Sequence, residues 1–281
     1  MNDIKLIVTD IDGTLATHGE HIPQINIDAI RAAKELGVKV CACTARNWTT
    51  AKEILERAGL TDYCMLLNGS VILDVKTKEV QYRNRIAPEY VGPLVDIVSK
   101  YTDGITIEGT ENMVICKDFV GPMARRGWDP FAPNRPQNIW TQSQIKTYSK
   151  EEFIEAGKDI CNILTVWIDH DQHLPLYSEI SEIGPFELSA ADDDHVYIMA
   201  KDATKGLAVE ILAGLYGVTA ENVMCFGDSK NDASMLRWAG VGVAMGNANQ
   251  LAKDSADIVT ARVEEGGVGR EIFRRVVNRR R

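Results

Sequence analysis

Short apolar, β-branched runs alternate with amphipathic stretches through the first 75 residues, the rhythm of βαβ units and a parallel sheet. The run over residues 4–8 has no strict polar alternation, as expected of a strand buried on both faces, and it leads straight into Asp10. Residues 23–36 read as a helix, with Pro23 tolerated in the first turn and Gly37 as the stop. A second buried strand is expected over 38–43, a helix over 49–58 ended by Gly59, and a third strand over 64–67 before the turn Asn68-Gly69. Residues 71–80 read as a hairpin.

The pattern changes from about residue 85. Apolar runs at 105–107, 113–116 and 163–168 alternate with helices near 90–101 and 151–160, which predicts an α+β unit inserted into the first. Within it, the stretch 121–147 is rich in proline and polar residues and long for a loop; its Arg125, Arg126, Trp128, Phe131 and Trp140 make it either a substrate or subunit contact or a surface excursion that packs its own aromatics. The βαβ rhythm then resumes, with strands at 223–226, 242–245 and 258–259 and helices at 205–216, 232–238, 249–253 and 269–278. The fold class expected is therefore α/β: a doubly wound, Rossmann-like parallel sheet formed by 1–84 and 195–281, interrupted by an α+β domain over 85–194.

Composition narrows the function classes. The 281 residues are 45% hydrophobic and 25% charged, average for soluble globular proteins. A net charge of −9 argues against a nucleic-acid partner, and the terminal basic cluster (Arg270, Arg274, Arg275, Arg279, Arg280, Arg281) suits the negative end of a final helix. No apolar run of about 18 residues predicts a membrane span. The start of the chain does not read as a secretory signal, so a cytoplasmic protein is expected. The six cysteines show no CxxC and no zinc-type spacing, and they read as reduced core residues.

The chemistry concentrates at two predicted strand ends. Asp10 and Asp12, in Thr9-Asp10-Ile11-Asp12-Gly13-Thr14, follow the first strand directly, where open α/β sheets bind ligands. Alone, the segment could be an ordinary Asp/Gly turn. Gly227-Asp228-Ser229-Lys230-Asn231-Asp232 closes another apolar run, and four aspartates at two strand ends repel one another without a cation. All-oxygen ligands with neither histidine nor thiolate indicate Mg²⁺, while Asp228 or Ser229 could also cap a helix. Thr44, after the second strand, could donate to phosphate oxygens or simply cap a helix. Lys205 could offset the charge of a nucleophile and phosphoryl group, or stand in solvent. Asp169, His170, Asp171 and His173 could suggest a metal site but read better as a polar strand-to-helix turn, and residues 192–195 as a solvated turn at the domain junction.

Taken in order, the segments DIDGT, CTARN, DATKG and GDSKND resemble the haloacid dehalogenase superfamily. The inserted unit is similar to its C2-type cap, as in the Cof-like sugar-phosphate phosphatases. Asn68-Gly69-Ser70 resembles the family's NGA or NGG turn, and residues 242–248 resemble its GVAMGNA stretch. The usual Thr-Gly-Arg reads Thr44-Ala45-Arg46 here. The resemblance implies a Mg²⁺-dependent phosphatase in which Asp10 becomes an aspartyl-phosphate and Asp12 acts as general acid and then base. It implies Mg²⁺ held by Asp10, the Asp12 carbonyl and Asp228, with Asp232 holding a bound water or the metal. Thr44, Lys205 and Asn231 would bind the phosphoryl group. The cap, with Arg125, Arg126, Trp128 and Trp167 as candidates, would choose among small phosphorylated metabolites, sugar phosphates favoured. A phosphomutase or phosphotransferase, or a non-catalytic binder of phosphorylated ligands, are the alternatives, and homo-oligomerisation is compatible with each.

Overall fold

The computed structural model describes residues 3–18, 20–125, 129–131, 143–190 and 195–280. Arg126, Trp128, Trp140, the aspartates at 192–194 and Arg281 lie outside them. In chain order the first part runs β1 (Leu6–Thr9), α1 (Gln24–Glu35), β2 (Lys39–Cys43), α2 (Trp48–Arg57), β3 (Tyr63–Leu66), β4 (Val71–Asp74) and β5 (Val80–Arg83). The middle part includes α3 (Pro88–Val98), β6 (Gly104–Glu108), β7 (Met113–Val120), β8 (Gln144–Thr147), α4 (Lys150–Lys158), β9 (Ile163–Trp167), α5 (His173–Ile183), β10 (Phe186–Ala190) and β11 (His195–Ala200). The last part includes α6 (Lys205–Leu215), β12 (Val223–Gly227), α7 (Ala233–Trp238), β13 (Val241–Ala244), α8 (Gln250–Asp254), β14 (Ile258–Val259) and α9 (Gly267–Ile272).

The chain divides into two compact units: Met1–Ala45, Ala51–Arg83 and Thr204–Arg281 form one, and Arg46–Thr50 with Asn84–Ala203 the other. The first holds an eight-stranded sheet in the order β14-β13-β12-β1-β2-β3-β4-β5, parallel from β14 to β3 and antiparallel at the β3–β4 and β4–β5 pairs. Leu6, Ile7 and Val8 are fully buried, as the uninterrupted apolar run requires. Each such side chain contributes about 1.5–3 kcal/mol of burial energy. β1 pairs with β12 on one side and β2 on the other, so the chain order reverses there. A crevice at strand carboxyl ends forms at such a reversal.

The second unit holds a six-stranded sheet in the order β10-β11-β9-β6-β7-β8, antiparallel except for the β7–β8 pair. Alternation places Ile105, Ile107, Leu164, Val166, Val196 and Ile198 in one apolar cluster with Val95, Phe153 and Leu176 from α3, α4 and α5. The junction expected at residue 195 moves to Ala203, because β11 pairs with β9 in this smaller sheet, Val196 opposite Val166. An apolar run such as 196–200 does not say which of two sheets it joins. All six cysteines are free and buried. Among the described residues no helix is long and apolar enough to cross a membrane.

Candidate active site

β1 and β12 lie in parallel register, Thr9 opposite Phe226, so the residues that follow each strand emerge side by side. The Asp10 amide donates to the Phe226 carbonyl at 2.9 Å, fixing the first turn after β1. Gly13 has φ +80°, and a Cβ there would lie 2.5 Å from Asp228 Oδ2. Only glycine serves both the left-handed backbone and that approach. The turn is further tied by Asn247, whose Nδ2 donates to the Gly13 carbonyl at 2.8 Å while its Oδ1 accepts from the Val263 amide at 2.9 Å.

Asp10, Asp228 and Asp232 are all buried, and each presents a carboxylate oxygen within 4.8 Å of the others. Lys205 enters this group from the first turn of α6. Its Nζ donates to Asp10 Oδ1 at 2.7 Å and to Asp232 Oδ1 at 2.6 Å, and the residue is 1% exposed. A lysine at the positive end of a helix dipole is disfavoured by the helix itself. The two carboxylates from other parts of the chain outweigh that, while Thr204 caps the same helix by accepting from the Leu207 amide at 3.2 Å. The solvated alternative for Lys205 therefore does not hold.

Asp232 carries more than the lysine: its Oδ2 accepts from the amides of Asp228 and Ser229, both at 2.9 Å, so it shapes the loop that presents Asp228. Asp228 Oδ1 accepts from the Thr14 hydroxyl at 2.8 Å. Burial pushes the Asp10 carboxyl well above its ordinary range; Lys205 opposes the rise, and Asp232, Asp228 and Asp12 add to it. Burial, then the charge of Asp232, raises Asp228 to about 6 against the lowering effect of Thr14. Burial works to lower the Lys205 pKa, but Asp10 and Asp232 overcome it and hold the ammonium well above the ordinary lysine value. Three buried carboxylates face one ammonium, an excess of negative charge with oxygen donors only. This donor set fits a hard divalent cation.

Asp12 sits in the same turn, half-buried, bridged to Ala16. Thr44 is buried directly after β2, its amide bonded to the Met65 carbonyl at 2.9 Å. Asn231 is half-buried, and its Nδ2 donates to Asn68 Oδ1 at 2.8 Å. The structure thus gathers Asp10, Asp228, Asp232 and Lys205 into one cluster and places Asp12 and Asn231 on the loops that carry it. Thr14, Asn68 and Asn247 take part without having been assigned roles from sequence; each stands in a quoted motif, and that was their only signal. Of the terminal arginines, Arg274 and Arg275 pair with Glu271 at 3.0 and 2.7 Å. In the other unit, Arg125 pairs with Asp103 at 3.3 Å, and Trp167 meets His195 edge to face at 5.3 Å between ring centres.

A doubly wound sheet carrying an acidic cluster and a buried lysine at its central strand ends offers a site for a hard cation and a charged, oxygen-bearing group. Residues 7–272 match the family described as haloacid dehalogenase-like hydrolase. The chain belongs to that family, as a phosphatase of its type IIB branch. It is 30% identical over 270 residues, 96% of this chain and 95% of the other, to the 5-amino-6-(5-phospho-D-ribitylamino)uracil phosphatase YcsE of Bacillus subtilis (strain 168). It is 26% identical to the pyridoxal phosphate phosphatase YbhA of Escherichia coli (strain K12), covering 91% and 92% of the two chains. Among solved structures, a subclass IIB sugar phosphatase superposes with a TM-score of 0.80 at 27% identity, covering 96% of this chain and 98% of that one.

Proposed function

We propose that this enzyme hydrolyses phosphate monoesters of small metabolites through a phosphorylated Asp10, in a Mg²⁺-dependent reaction. The observation that carries the reading is the buried group of Asp10, Asp228 and Asp232, with Lys205 bonded to Asp10 and Asp232. In this reading Asp10, Asp228 and the Asp12 carbonyl hold Mg²⁺, with Asp232 behind them. When bound, the cation offsets the carboxylate charge and the charge of the phosphoryl group.

Asp10 attacks phosphorus, and the bond from phosphorus to the ester oxygen breaks. Asp12 gives its proton to the departing alcohol. Asp12 then takes a proton from water, which attacks the same phosphorus. The bond to Asp10 breaks, releasing inorganic phosphate and restoring the carboxylate. Lys205 and Thr44, with Asn231 as a further contact, hold the phosphoryl oxygens, which is the positioning and charge stabilisation that dominate phosphoryl transfer.

The substrate class rests on the relatives, which are named for a ribitylaminouracil phosphate, pyridoxal phosphate and sugar phosphates. A small phosphorylated metabolite is their common denominator, and sugar phosphates are the first to try. The second unit, as the cap, is the part proposed to discriminate among them. The test is acid quenching during turnover of a generic aryl phosphate, followed by mass spectrometry of the Asp10 peptide. A phosphoryl adduct on that peptide is expected, more abundant in Asp12→Asn because the water step slows. With a sugar phosphate as substrate in a parallel reaction, an isomerised product without inorganic phosphate would replace the phosphatase reading with a mutase.

A further inference from the structure

The turn after β3 is strained in a way that its own sequence does not require. Leu67, Asn68 and Gly69 follow one another at φ +52°, +55° and +90°. Asparagine and glycine tolerate the left-handed region, but leucine does not, and such a run persists only where surrounding contacts over-determine it. Those contacts reach three chain stretches. The Asn68 amide donates to the Thr44 carbonyl at 3.0 Å. Asn68 Oδ1 accepts from Asn231 Nδ2 at 2.8 Å. Gly69 lies so close to the residue before Lys205 that a Cβ would stand 2.5 Å from the Thr204 carbonyl oxygen.

The amide pair is also incompletely engaged. Asn68 is 2% exposed, yet its Nδ2 has no hydrogen-bond partner among the described residues, and neither has Asn231 Oδ1. A turn serving stability alone would not keep a buried donor without an acceptor, and such a group calls for a functional explanation. Asn231 Nδ2 carries two hydrogens, and the bond to Asn68 commits one. Turning the Asn231 amide over alone would set its oxygen against Asn68 Oδ1, and turning both over would make Asn68 the donor, an arrangement that Asn68→Asp would break.

We propose that Asn68 is a positioning residue. Its Oδ1 holds the Asn231 amide so that the second Nδ2 hydrogen is presented to the phosphoryl group, while its backbone N–H steadies the stretch that carries Thr44. This rests on the reading of Asn231 as a phosphoryl contact.

The test is a double-mutant cycle read by calorimetric binding of orthovanadate, a phosphoryl mimic, to the Mg²⁺-loaded full chain. Asn68→Gly keeps the left-handed backbone and deletes the amide; Asn231→Ala deletes the presented donor. Each is expected to weaken orthovanadate binding by roughly ten-fold. The double variant should fall no more than about two-fold below the weaker single variant, because the two act as one unit. Asn68→Asp keeps an acceptor and tolerates the same φ, so it serves if the glycine variant does not fold. In the Asp background, Asn231→Ala should cost as much as in wild type, since the acceptor remains. Mg²⁺ binding without orthovanadate should be unchanged in all of them. Additive losses in the glycine background, or wild-type binding by Asn68→Gly, overturn this inference alone. Wild-type binding by Asn231→Ala overturns it together with the role assigned to Asn231.

Discussion

Replacing Lys205 by methionine removes an ammonium bonded to Asp10 and Asp232, at 2.7 and 2.6 Å, and leaves three carboxylates within 4.8 Å of one another. Methionine fills a comparable volume, so the loss is one of charge and hydrogen bonding more than of packing. Breaking a buried ion pair by removing one partner costs about 3–5 kcal/mol. For a domain of this size that corresponds to a fall in Tm of roughly 6–20 °C. The sign of the pH dependence follows from the raised carboxyl groups. Protonation neutralises them at low pH, so the deficit should be full at about pH 7.5 and smaller at about pH 5. Saturating Mg²⁺ should narrow the gap between variant and wild type, because it supplies positive charge to the same oxygens. The assay is thermal unfolding followed by circular dichroism for both proteins, at both pH values, with and without Mg²⁺. A deficit below about 1 kcal/mol at neutral pH without metal would refute the reasoning, since surface ion pairs alone contribute that much.

Three further outcomes are expected. Asp228 titrates at about 6, above its ordinary value of 3.8, so its contribution to stability is present at low pH and lost as pH rises through about 6. Mg²⁺ should therefore stabilise the protein strongly above that pH and weakly below it, and equal shifts in scanning fluorimetry at both ends would contradict this. Gly13→Ala forces a Cβ against Asp228 at φ +80°, and should cost more than about 1–2 kcal/mol of stability along with most activity; urea unfolding and turnover check it. In the second unit, burial raises Glu108 to about 7 against a hydrogen bond at 2.8 Å from the Thr165 hydroxyl. Stability contributed by that proton is lost as pH rises through about 7. Glu108→Gln should flatten the dependence, and an unchanged profile would show that another group sets it.

The strand ends were legible because β1 and β12 are continuous apolar runs that stop at charged motifs, and a carboxylate after a buried parallel strand has few places to go. The burial of Lys205 was not legible. Locally its neighbours Thr204 and Gly206 say only that a helix begins, and its two partners stand 195 and 27 residues away in the chain. The left-handed turn at Leu67 was hidden for a similar reason: nothing in a leucine's identity announces φ +52°. The polar turn at 169–173 was legible as the step from a strand into a helix, and α5 does start at His173, with Pro175 tolerated in its first turn. The second sheet's strands were partly read, but residues 195–200 were placed with the larger unit, because an apolar run carries no address, and they form β11 beside β9.

The most direct measurement is inorganic phosphate release from a panel of phosphorylated sugars and a generic aryl phosphate, with and without Mg²⁺, in wild type and Asp10→Asn. The account predicts release by wild type only when Mg²⁺ is present, and none from the variant under any condition. Release that persists in Asp10→Asn, or that proceeds equally well without Mg²⁺, would contradict it.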